Sequence, residues 1–390
     1  MKRFTIWGTS FAKLGDEAQI VSVCQVLESV YGSIDVVLLD QDRVRTRRAI
    51  PRLRTIRLRN LWQSIPRIMR SDALIVIGAP FFESAKQAIQ CLIVLAAAKC
   101  LRKPVLCYGI TVFDYGTVWG EKLYAFLLNN VEMLAIRERI GTEIAERIGV
   151  TNERHLITDP RCVLEPSAEA GVANLLKDAG VQPDQPLIGI TTRYMDEAIP
   201  DWVKRNQGFS ADANQRANAI IGNLVGDLAA YAQILVIPMH KSSEEDAVMV
   251  EIIRRHSSAP NAIKVLNRDV TAQQCLAVMM QCDMIISSRL VSSVFGAALG
   301  IPTFSIAYDA RILDFAHSVD AHAHAVEWSS MDRDLASVMI QELWDNRVTV
   351  REQRQQVAVN LRQSVWQEAH LLDIDNNFEA PPQETQSFQG

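Results

Sequence analysis

Short runs of aliphatic and β-branched residues alternate with longer stretches of helical periodicity along most of the chain. In the first half, Arg3 to Trp7, Ile34 to Leu39, Ala73 to Ile77, Val105 to Gly109, Leu134 to Ile136 and His155 to Thr158 read as strands. Between them, Asp16 to Tyr31, Ser84 to Leu101, Trp119 to Asn130 and Arg139 to Ile148 carry apolar residues at helical spacing. Strands that alternate with helices predict a parallel, doubly wound sheet.

The rhythm loosens between Asp159 and Pro186, where Pro160, Pro166, Pro183 and Pro186 fall close together. A second series then begins. Leu187 to Thr191, Ile234 to Ile237, Ile263 to Leu266, Met284 to Ser287 and Thr303 to Ile306 read as strands. Helical patterns lie around Asn214 to Ala230, Ser243 to His256, Ala272 to Gln281 and Ser292 to Leu299. The fold class is therefore α/β, with two Rossmann-like, doubly wound domains facing a central cleft. Expected boundaries are 1–165 for the first domain, 166–186 for a hinge, 187–330 for the second domain, 331–372 for C-terminal helices and 373–390 for a disordered tail.

Composition adds limits. Of the 390 residues, 48% are hydrophobic, enough to bury a sizeable core, so a wholly disordered chain is excluded. Lys plus Arg number 40 against 45 Asp plus Glu, and that acidic balance argues against nucleic acid as a partner. The start of the chain does not read as a signal peptide, because Lys13, Asp16 and Glu17 interrupt it. The apolar stretches Ala73 to Phe82 and Ala88 to Ala98 are shorter than the roughly 20 residues that cross a bilayer. The seven cysteines lack C-x-x-C spacing and read as reduced core residues of a cytoplasmic protein. No metal or cofactor is expected; the pair His322 and His324 has i,i+2 spacing, a weak metal signal.

In doubly wound folds ligands bind beyond the carboxyl ends of the strands. After the first strand comes a small-residue loop through Gly15, Asp16 and Glu17 into a helix start, a place suited to an anion. Asp16 could serve there as helix cap or as base. The turn Gly78-Ala79-Pro80 follows another strand. The most informative stretch is Ser287-Ser288-Arg289-Leu290-Val291-Ser292-Ser293, in which a strand delivers an arginine and hydroxyls to the start of a small-residue helix. That is an anion socket, unless Arg289 instead pairs with a carboxylate across the cleft. Arg137 and Arg193 stand at further strand ends, and His240 is the histidine best placed for proton transfer. Ten arginines lie between Arg43 and Arg70 without interleaved glutamate, and they suit an anionic surface such as phospholipid headgroups.

Several of these pieces resemble the polysaccharide pyruvyl transferase family. They are Gly15-Asp16-Glu17, the strand ending in a glycine turn, Ile136-Arg137, Asp159-Pro160, Ser288-Arg289-Leu290-Val291-Ser292, Ala298-Leu299-Gly300-Ile301-Pro302 and Tyr308-Asp309. The resemblance spans most of residues 1–320. It implies a GT-B-like architecture and transfer of the enolpyruvyl unit of phosphoenolpyruvate to two sugar hydroxyls, giving a cyclic ketal in surface glycan biosynthesis. It also implies a glycan or lipid-linked glycan acceptor. Asp16 matches the family's N-terminal acidic position, and Arg289 its anion-binding arginine. The expected site is thus Asp16 and His240 as catalytic groups, with Arg289, Ser288, Arg193, Arg137, Ser292 and Gly15 binding substrate. Where the family has His after Arg-Leu, this chain has Val291, which cannot donate a proton. Two alternatives follow from that departure: a GT-B-type glycosyltransferase using a nucleotide sugar, or a non-catalytic member of a glycan assembly complex. The expected location is cytoplasmic, with a peripheral contact at the inner membrane through Arg43 to Arg70.

Overall fold

The structure is a computed structural model that describes residues 1–8, 13–40, 54–57, 65–78, 85–113, 117–168, 171–193, 211–240, 245–267 and 269–375. The first domain contains β1 (Lys2–Trp7), α1 (Leu14–Tyr31), β2 (Ile34–Asp40), β3 (Arg54–Arg57), α2 (Ile65–Arg70), β4 (Ala73–Gly78) and α3 (Ala85–Cys100). It continues with β5 (Val105–Ile110), α4 (Val118–Leu128), β6 (Met133–Ile136), α5 (Arg139–Arg147) and β7 (His155–Leu156), followed by a 3₁₀ turn, Pro160–Val163. All pairings are parallel, in the order β3-β2-β1-β4-β5-β6-β7. Strands β4, β5 and β6 are buried at every residue, as a sheet covered by helices on both faces requires.

After α6 (Val172–Asp178), the second domain comprises β8 (Leu187–Thr191), α7 (Ala211–Leu228), β9 (Gln233–Val236), α8 (Glu245–His256), β10 (Ile263–Val265) and α9 (Ala272–Met280). Then follow β11 (Met284–Ser287), α10 (Leu290–Ala298), β12 (Thr303–Ala307), α11 (Ala310–Ser318) and β13 (Ala325–Glu327). This sheet is also parallel, in the order β10-β9-β8-β11-β12-β13. Strand order reverses between β1 and β4 in one sheet and between β8 and β11 in the other. Those reversals are the crevices where open α/β sheets take ligands.

The two domains interpenetrate. Leu14 and Ala18 of α1 are buried in a cluster made largely of second-domain residues such as Met239, Leu276 and Phe295. In return, Val294 and Ala298 of α10 join the first-domain core around Ile20, Tyr108 and Cys162. The segment 166–186, expected as a hinge, carries α6, whose Val172 packs in the same cluster as Leu276 of α9.

The last helices, α12 (Arg333–Asp345) and α13 (Arg347–Gln367), divide between the domains. Trp344 of α12 lies in the second-domain core, whereas Val365, Ala369 and Leu372 beyond it are buried in the first. Residues 373–375, expected to begin the tail, are held instead. Tyr31 Oη donates to the Leu372 carbonyl at 2.9 Å and accepts the Ile374 N–H at 2.7 Å, and Lys2 pairs with Asp375 at 2.8 Å. Residues 376–390 lie outside the described residues, as do Arg43, Arg45, Arg47, Arg48, Arg52 and Arg59 of the basic segment. Of the others, Arg54 and Arg57 belong to edge strand β3, and Arg67 and Arg70 on α2 are exposed. Among the described residues no helix is long and apolar enough to cross a membrane.

Candidate functional site at the domain seam

The loop after β1 and the loop after β9 meet. Lys13 and His240 form an antiparallel bridge, and the Leu14 N–H donates to the Met239 carbonyl at 3.1 Å. This places His240, half-buried, beside the first turn of α1, where Asp16 is half-buried as well. Gly15 is fixed by what it touches. A Cβ there would come within 2.9 Å of Val291 Cγ2 and 3.3 Å of Arg161 Nη1, so only glycine lets α1 and α10 approach this closely. Glu17 instead bridges the seam. It is buried, and its Oε1 accepts the Ala272 N–H at the start of α9 at 2.7 Å.

Arg289 precedes α10 at the reversal point of the second sheet, with only 9% of its surface exposed. Of the two readings of Arg289, pairing with a carboxylate is the one observed. Its Nη2 pairs with the Asp246 carboxylate, and its Nε donates to the Thr192 carbonyl at 2.8 Å. The partner is not across the cleft but on α8 of the same domain, because β9 and β11 flank β8 and bring their following loops together. Nη1 is left without a hydrogen bond among the described residues.

The remaining expected binding residues separate into two groups. Arg193 lies at the same reversal point; its backbone N–H donates to Ser288 Oγ at 2.9 Å, and its Nη1 to Tyr308 Oη at 2.8 Å, with the guanidinium 5.0 Å from the Tyr308 ring centre. Ser288 and Ser292 are wholly buried, Ser288 as a loop fastener and Ser292 inside α10, so neither presents a hydroxyl to a ligand. Arg137 is also corrected. Its Nε, Nη1 and Nη2 donate to Glu138 at 2.9 Å, Gln19 at 3.1 Å and Thr111 at 2.8 Å, which consumes the guanidinium in an internal network.

Sequence reasoning missed two paired charges built alike. Asp159 accepts the Arg161 N–H at 3.0 Å and its Nε at 2.8 Å; Asp309 accepts the Arg311 N–H at 3.0 Å and its Nε at 2.9 Å. Each aspartate caps a helical turn and clamps the arginine two residues on, a pattern visible as Asp-x-Arg. Burial alone would push the Asp159 carboxyl up, but the Arg161 guanidinium overrides it and holds it at about 2. Arg311 also lies over the Phe113 ring, 4.6 Å from its centre, joining the two domains.

With this geometry in place, the profile of the polysaccharide pyruvyl transferases matches residues 14–310. The chain belongs to that family. It is therefore a glycan-modifying transferase by membership. No curated protein matches the chain. Among solved structures, an S. aureus MnaA-UDP co-structure superposes with a TM-score of 0.59 at 11% identity, covering 98% of this chain and 99% of that one. A glycosyltransferase from Rickettsia africae ESF-5 gives 0.61 at 9% identity, over 96% and 100% of the two chains. The E. coli ADP-heptose lps heptosyltransferase II gives 0.51 at 12%, over 89% and 100%. At such identities the likeness establishes the fold, two facing Rossmann-like domains of GT-B type.

Val291 is the position at which the resemblance leads one to expect histidine. Its methyl groups rest on Gly15, so the position faces the α1 start. Of the cysteines, Cys91, Cys107, Cys162, Cys275 and Cys282 are buried, whereas Cys100 is exposed, against the core expectation. His322 lies in a 3₁₀ turn and stacks on His317 at 5.0 Å; among the described residues no cluster is set to hold a metal ion.

Proposed function

We propose that this pyruvyl transferase family member moves the enolpyruvyl group of phosphoenolpyruvate onto two hydroxyls of a sugar. His240 gives a proton to the methylene carbon of the donor, and Asp16 takes the proton of the attacking hydroxyl. The hydroxyl oxygen bonds to the donor's C2, the C2–O bond to phosphate breaks with Asp16 passing its proton to the departing phosphate, and the second hydroxyl closes the ketal as its proton restores His240. Inorganic phosphate leaves and no oxidant is needed. The observation that carries this reading is the bridge between Lys13 and His240, which sets the two proposed groups on one seam within a chain of this family. Arg289 Nη1 and Arg193 are the cations for the donor's phosphate and carboxylate.

The acceptor is a soluble or lipid-linked glycan, and the protein works in the cytoplasm. The arginines from Arg43 to Arg70, of which Arg67 and Arg70 are exposed, supply a contact with an anionic membrane. Phosphate release from phosphoenolpyruvate that depends on a glycan acceptor tests the reaction; none with any acceptor, alongside binding of a nucleotide sugar, would turn the assignment to glycosyl transfer. Val291 favours that second reading, because the family's imidazole is missing. Vesicle sedimentation before and after neutralising Arg67 and Arg70 tests the membrane contact.

A further inference from the structure

A single carboxylate ties together the two groups on which the proposed chemistry draws. Asp246, at the start of α8, is 3% exposed. Its Oδ2 accepts the backbone N–H groups of Met239 at 2.7 Å and His240 at 2.8 Å, while its Oδ1 takes the Arg289 guanidinium. The Met239 carbonyl in turn accepts the Leu14 N–H, two residues before Asp16.

We infer that Asp246 is the positioning residue of this site, holding the His240 backbone and the Arg289 guanidinium in one fixed relation. The inference rests on the proposed reaction but concerns a residue outside its chemistry. A buried carboxylate has to be saturated by donors, and here the donors come from the two loops that follow β9 and β11. With Nε on the Thr192 carbonyl and Nη2 on Asp246, the guanidinium plane cannot rotate. Nη1 is then presented in one direction, as an arginine meant to meet an anion geometrically requires.

Asp246→Asn separates the two tasks. Its amide oxygen can still accept both backbone N–H groups, while its NH₂ confronts the guanidinium with a donor. Because the buried guanidinium loses its counter-charge, the variant is expected to melt several degrees below the wild type while staying folded at the assay temperature. Its kcat for phosphate release from phosphoenolpyruvate should fall at least about tenfold while KM changes less than about threefold, because the cation remains but its orientation is lost. Phenylglyoxal should modify Arg289, followed by peptide mass spectrometry, at least about fivefold faster. Unchanged kcat, or kcat and KM failing together, would overturn the inference. A wild type that releases no phosphate sinks the proposed reaction instead; the Arg289 modification rate then decides, and equal rates reject the role of Asp246. Should the asparagine variant not fold, Arg289→Lys keeps the charge but cannot hold both anchors and spare a nitrogen. Its kcat should fall similarly, and wild-type turnover would reject the inference.

Discussion

Glu17 on α1 accepts the Ala272 N–H of α9 across the domain seam at 2.7 Å. The first-turn amides of a helix lack internal partners, and a carboxylate there meets both an open donor and the positive end of the helix dipole. Gly15-Asp16-Glu17 thus divides its labour, since Asp16 stays half-buried at the seam while Glu17 locks the domains. Glu17→Ala is expected to destabilise by about 2 kcal/mol, and Glu17→Gln, which keeps the acceptor, by about half that. Urea unfolding followed by fluorescence measures both; equal stability of Glu17→Ala and wild type would remove the latch.

Gly15 and Val291 should couple. A Cβ at Gly15 meets Val291 Cγ2 at 2.9 Å, so Gly15→Ala is expected to lose about 1–3 kcal/mol by overpacking. Val291→Ala in the same chain should restore part of that loss. A thermal double-mutant cycle that returns simple additivity would show that the contact carries no strain.

Catalysis should separate from stability at Asp16 and His240. Asp16→Asn and His240→Gln are each expected to lower kcat by about 10²-fold or more, the usual size of a proton-transfer contribution. Melting temperatures should stay within a few degrees, since both side chains are only half-buried. Steady-state phosphate release reports the outcome, and wild-type rates would withdraw the roles assigned to them.

Glu368 gives the chain a pH dependence of known sign. It follows α13 and accepts the Thr158 N–H at 2.9 Å and its hydroxyl at 3.1 Å, and burial pushes its carboxyl up from 4.5 to about 6. A folded value above the unfolded one means that its contribution is complete below about 4.5 and is lost as pH rises through about 6. Allowing for the solvent that reaches it, the change is about 1 kcal/mol. Glu368→Gln should match wild type near pH 4.5 and exceed it near pH 7. Denaturation midpoints at the two pH values check this; parallel curves would refute it.

Asp159 behaves in the opposite sense. Held at about 2 by Arg161 against burial, it contributes stability above its unfolded value of 3.8 that is lost as pH falls towards 2. Arg161→Ala would leave that carboxylate buried without its main partner and is expected to lose about 3–5 kcal/mol at neutral pH. A calorimetric scan showing a melting temperature close to wild type would contradict it.

The strands and helices were legible because a buried parallel sheet demands unbroken aliphatic runs. Leu187–Thr191 and Met284–Ser287 sit where those runs predict. Strand β13 and helix α11 escaped notice: Ala325–Glu327 is too short for a pattern, and α11 follows directly from a cap that reads equally well as a turn. Arg289 and Arg193 were placed at strand ends correctly, and both lie where the second sheet reverses.

What the chain alone determined was local: periodicity, strand ends, glycine turns and the family signature each depend on neighbours in sequence. Only tertiary structure decided the partners. Asp246 meets Arg289 over 43 residues because three adjacent strands bring two loops together, and Arg137 is consumed by Gln19 from a helix 118 residues earlier. Likewise, the polar α13 carries the chain back so that Val365 and Leu372 enter the first-domain core. A charge and its counter-charge need only be close in space, and sheet order rather than spacing along the chain sets that distance.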